Sequence, residues 1–67
     1  MTYYIITKFR YKRPKFVPEG DLGINFNSYK DAESYASQHK LLMRSKVLPS
    51  VLKDNLILYH IEERNIR

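Results

Sequence analysis

Three cations recur at every second position in the segment YYIITKFRYKRPK: Lys8, Arg10 and Lys12. On an extended strand, side chains alternate between faces and each residue rises about 3.3–3.4 Å, so this spacing sets the three charges along one side at roughly 6.6–6.8 Å intervals. That interval is close to the spacing of successive phosphates on a nucleic-acid strand. Tyr4 shares the face, and Arg13 and Lys15 carry the charge onward into the following segment. Cations for phosphates and an aromatic ring for stacking are what a sequence-tolerant single-strand binder requires. The plainer explanation is that a half-buried strand needs a polar face and that lysine on an edge strand discourages aggregation.

The charge distribution favours a ligand. Residues 1–18 hold Lys8, Arg10, Lys12, Arg13 and Lys15 and no acid, whereas from Glu19 onward seven bases meet seven acids. The formal net charge of +5 therefore resides in the first quarter of the chain. A localised excess of this kind points to an anionic partner, RNA, DNA or an acidic protein surface, more than a uniform one does, although charge also keeps small proteins soluble.

Other chemistries are less well supported. His39, His60 and Glu62 could supply metal ligands, but His39 falls in the apolar seam of a helical segment, where a hydrogen-bonded core histidine is the ordinary outcome, so no metal site is expected. The serines and threonines lie in no nucleophile-elbow or Ser-His-Asp setting, and two glycines cannot build a phosphate cradle. The expectation is a binding protein without catalytic residues or a cofactor. Six tyrosines and three phenylalanines, with no tryptophan, supply the bulk a short chain must bury. Phe16, Tyr11 and Arg10 are candidate anchors for a protein interface, because aromatic residues and arginine concentrate interface energy. Phe16 is the foremost of these, with PKFVP expected to present it from a loop.

These residues must be positioned by few elements. Sixty-seven residues form a single domain, 1–67, with one core. The absence of cysteine excludes disulfides and thiolate metal sites and points to a reducing compartment. No stretch approaches the roughly 20 apolar residues of a membrane span and no signal-like start is visible, so the expected setting is cytoplasmic, away from membranes.

Residues 3–12 read as a strand, with Tyr3, Ile5, Thr7, Phe9 and Tyr11 on a core-like face and the basic set opposite. RPKFVPEGDLG, with two prolines and two glycines, predicts an irregular connection or a wide hairpin over 13–23, with little regular structure. Leu22, Ile24 and Phe26 then alternate as a weak second strand. Ser28 is placed to cap a helix over about 29–42, with Asp31 three residues on and an apolar stripe through Tyr29, Ala32, Ala36, His39 and Met43. The segment 43–55 is left open between a helix tail followed by a loop and an additional edge strand, since Pro49 removes a ladder donor. NLILYHIEE reads as a strand, apolar on both faces at its start and so expected at the centre of the sheet.

YYIITKF followed by GINFNSYKDAESYASQ resembles the N-terminal hybrid-binding domain of eukaryotic ribonucleases H. That family's signature tryptophan is not matched here, Tyr29 being the nearest aromatic, so no residue role is carried over. In composition the chain is similar to accessory proteins of bacteriophages, several of which inhibit host enzymes or defence systems. The expected fold is α+β, a small antiparallel sheet of three strands, or four if 43–55 contributes, with one helix on one face. The leading expectation is binding of a phosphate-rich ligand through Lys8, Arg10, Lys12, Arg13, Lys15 and Tyr4. The alternatives are a phage-type inhibitor that contacts a host protein and a nucleotide-binding sponge.

Overall fold

A computed structural model describes residues 1–66. The chain forms a three-stranded antiparallel sheet and one α-helix: β1 (Thr2–Lys12), β2 (Lys15–Asp21), α1 (Tyr29–Gln38) and β3 (Ile57–Asn65), with 3-10 turns at Arg44–Lys46 and Pro49–Val51 before β3. The strand order is β2-β1-β3. The expected α+β class and the helix across one face are therefore observed.

The centre of the sheet is β1, which corrects the expectation that NLILYHIEE would occupy it. β1 is the longest strand and pairs on both sides, from Thr2↔Asn65 to Arg10↔Ile57 with β3 and through Lys12↔Lys15 with β2. The apolar start of β3 is explained by layers on both of its faces, a pattern that burial produces at an edge as well as at a centre.

The largest correction concerns 13–23. Only Arg13 and Pro14 form the turn, and Lys15–Asp21 is a strand in spite of Pro18 and Gly20. The backbone of Tyr4 bonds Phe26 in both directions, so even-numbered residues of β1 direct their polar groups toward the β2 side. Val17 lies opposite Arg10 and Lys15 opposite Lys12, which leaves Phe16 and Pro18 with their backbone groups turned outward. Pro18 thus lacks an N–H where no ladder bond would form, the position an edge strand tolerates. β2 ends where the Asp21 carboxylate accepts from Gly23 N–H at 2.6 Å and Gly23 takes a φ of +74°, a left-handed turn suited to glycine. The expected strand 22–26 is consequently reduced to two points of contact, Leu22 N–H to Ile6 O at 3.1 Å and the Tyr4↔Phe26 bridge.

Helix α1 begins as its sequence dictates, with Ser28 extended and its Oγ accepting from Asp31 N–H at 3.1 Å. It stops at the His39 cap, earlier than residue 42, and Lys40 takes a positive φ of 53° while Leu41 N–H returns to Ala36 O. Small Ala32 and Ala36 let the helix approach the sheet closely, against Ile6 and its cross-strand partner Ile61, with Tyr4, Leu22, Phe26, Tyr35, Leu41, Met43 and Tyr59 around them. On the opposite face Ile5, Thr7, Phe9, Tyr11 and Leu58 are also buried. Here the segment 43–55, neither helix tail nor full strand, takes part: Met43 makes a single parallel bridge to Tyr59, and the Arg44 guanidinium then lies over the Phe9 and Phe16 rings, 5.5 and 4.1 Å from their centroids. Among the described residues, no helix is long and apolar enough to cross a membrane.

Candidate anion-binding face

The helix covers only one end of the even-numbered face of β1. Tyr4 and Ile6 lie beneath it, whereas Lys8, Arg10 and Lys12 continue beyond it toward the β1–β2 turn. The strand alternation does align the three cations on one side, and the tight turn folds Lys15 back to lie directly opposite Lys12. Arg13 occupies the turn between them.

The cations divide into two groups. Glu19, returning on β2, accepts from Arg10 Nε at 2.8 Å and stands 3.9 Å from Lys8 Nζ. The Arg10 hydrogen bond, aided by the charges of Arg10, Lys8 and Lys12, holds the Glu19 carboxyl below the usual glutamate range. Sequence reasoning missed this acid because the hairpin that carries it was read as a loop. Lys12, Arg13 and Lys15 make no ion pair among the described residues. The Lys12 amine donates to Asn55 Oδ1, and the Arg13 backbone N–H donates to Asp54 Oδ1 at 3.0 Å. Both acceptors come from the turn before β3 and brace the hairpin end without a charge pair to its side chains.

The aromatic candidates lie elsewhere. Tyr4 is half-buried under the helix, its ring edge-on to Tyr29 at 6.1 Å, at the end of β1 remote from Lys12. It does not join the cationic cluster. Tyr11 is buried on the opposite face, and Phe16 packs on it at 5.1 Å and beneath Arg44, so Phe16 is a half-buried strand residue and not one displayed from a loop. Arg10 is held by Glu19.

The histidines are not brought together. His39 caps the helix and stacks on Tyr35 at 4.1 Å but is exposed, which corrects its reading as a core histidine because the helix ends there, while His60 lies on β3 opposite Thr7, on the other side of the sheet. Near His60, partial burial works against the Glu62 carboxylate, but Arg64 at 2.5 Å outweighs it and keeps the group below its usual range. The neighbouring Thr7 hydroxyl is buried and meets no partner at full hydrogen-bond geometry. Among the described residues, no three His, Cys, Asp or Glu side chains cluster as metal ligands would.

The fold and this face define a small α+β domain with a cationic hairpin end. Compared with protein-family models, with curated proteins and with solved structures, the chain finds no match.

Proposed function

We propose that the protein binds a phosphate-rich ligand, RNA or DNA, at the hairpin end of its sheet. The observation that carries this reading is the cross-strand pair Lys12 and Lys15, with Arg13 in the turn between. Like charges directly opposed across a sheet are destabilising, and placing a third beside them raises the local potential further. A bound phosphate relieves that repulsion. Lys8 and Arg10 extend the same face as a flank already half neutralised by Glu19. No aromatic platform accompanies the cations, so the contact is to the backbone and tolerant of base sequence.

The test is binding of unrelated single-stranded oligonucleotides of equal length across a salt series. Three phosphate contacts give a log–log slope of about −2, at about −0.7 per contact on a single strand. The Lys12→Gln/Arg13→Gln/Lys15→Gln variant should lose most of that slope and keep its fold. Absence of binding at low salt, where attraction is strongest, overturns the proposal. An acidic protein surface would meet the same cations, but binding to it would not transfer between unrelated oligonucleotides.

A further inference from the structure

A concave feature lies away from the hairpin end, between α1 and the outer edge of β3. It is a groove of about 520 Å3 whose floor includes Ala36 and Ile61. Tyr29 and Leu42, exposed at 50% and 41%, stand on its walls.

The edge beside it has unused backbone groups. Tyr59 N–H donates to Leu42 O at 2.9 Å, so Tyr59 turns its polar groups away from β1, and by alternation Ile61 and Glu63 do the same. Ile6, opposite Ile61, confirms this parity, since its carbonyl accepts from Leu22 on the β2 side. The chain's own pairing with this edge ends at the Met43↔Tyr59 bridge and turns away at Arg44. Among the described residues, Ile61 N–H and C=O and Glu63 N–H have no partner, and Glu63 O accepts only from the Arg64 side chain at 3.3 Å.

The groove also has a direction. Tyr29 packs on Tyr4, which lies opposite Glu63, so the helix N-terminus sits at the Glu63 end and the Leu41–Met43 segment closes the Tyr59 end. Lys40 and Lys46 flank the closed end, while Glu33 and Glu63 lie toward the open one. Neither lysine makes an ion pair among the described residues.

We infer that this groove takes an extended peptide ending in a free carboxylate, added to β3 as an antiparallel strand. Its backbone meets Ile61 and Glu63, an apolar side chain near its end fills the space over Ala36, and its C-terminal carboxylate lies at Lys40 and Lys46. Backbone pairing of this kind supplies affinity while the pocket for alternate side chains selects sequence. The charge gradient sets polarity: a C-terminus at the acidic end would meet repulsion. This site is independent of the hairpin cations.

The experiment exposes the whole chain to a bead-bound library of short random peptides with free C-termini, beside the same library as C-terminal amides. Selected peptides should end in an apolar residue, weaken about tenfold or more on amidation and shift the Ile61 and Glu63 amide resonances. Lys40→Glu/Lys46→Glu should abolish the preference for the free carboxylate with an unchanged amide spectrum elsewhere, and Lys12→Gln/Lys15→Gln should retain it. The inference is overturned if no sequence is enriched over the amide library, or if the shifts of bound peptides are confined to the Lys12–Lys15 hairpin.

Discussion

Glu19 on β2 accepts a hydrogen bond from Arg10 Nε on β1 at 2.8 Å, and its second oxygen faces Lys8 at 3.9 Å. One carboxylate thus sits among cations that are the only charged residues of β1, and it separates an ion-paired flank from a tip that has no ion pair among the described residues. Glu19→Gln should release Lys8 and Arg10 to a ligand. Oligonucleotide affinity should rise, and the salt slope on a single strand should steepen by about −1.4 for two further contacts. Unchanged affinity and slope would show that the ligand does not reach that flank.

Leu58 is fully buried, whereas Ile57 is only half-buried beyond the helix. Leu58→Ala should cost about 2–5 kcal/mol, a large part of what a domain of this size possesses, and Ile57→Ala distinctly less. Urea unfolding of both variants checks the order, and an equal loss would contradict the lesser burial of Ile57.

Ser28 caps α1 through Asp31 N–H. Ser28→Ala should destabilise by about 1 kcal/mol and Ser28→Asp should preserve most of the stability, because aspartate accepts the same bond and complements the helix dipole. Thermal midpoints of the two variants read this directly.

Arg44 lies 4.1 Å from the Phe16 centroid and joins the 3-10 turn to the outer face of the sheet. A double-mutant cycle of Arg44→Gln and Phe16→Leu should yield a coupling of about 0.5–1 kcal/mol, the range of a partly exposed cation over a ring. A cycle that closes to zero would remove the Arg44–Phe16 contact from the account of stability and leave only the longer approach of Arg44 to Phe9, at 5.5 Å, among the described residues.

Glu19 and Glu62 both have lowered carboxyl values in the fold, the first through Arg10 and the second through Arg64 against the opposing effect of burial. A group whose folded value lies below its unfolded one binds protons more readily when unfolded, so its contribution is present above the ordinary glutamate range and disappears as pH falls through the lowered folded value. Stability should therefore decline on acidification below that range. Glu19→Gln/Glu62→Gln should flatten the acid limb, as a pH series of urea midpoints would record.

Much of this protein is legible in its sequence. The period-2 pattern of 3–12 determines which residues share a strand face and so aligns Lys8, Arg10 and Lys12; the Ser28 cap and the Ala32/Ala36 stripe determine where the helix starts and which side it buries. These are local properties, fixed by backbone geometry and by neighbours a few residues apart. What the tertiary structure decided depends on partners distant in the chain. Lys15–Asp21 is a strand because β1 offers it an edge on which Pro18 loses no bond, and β1 is central because both hairpin and return strand pair with it. From those pairings follow the meeting of Glu19 with Arg10, the opposition of Lys12 and Lys15, the removal of Tyr4 beneath the helix and the open edge at Ile61. Register across a sheet couples residues up to the length of the chain apart, and no periodicity within a single segment contains it.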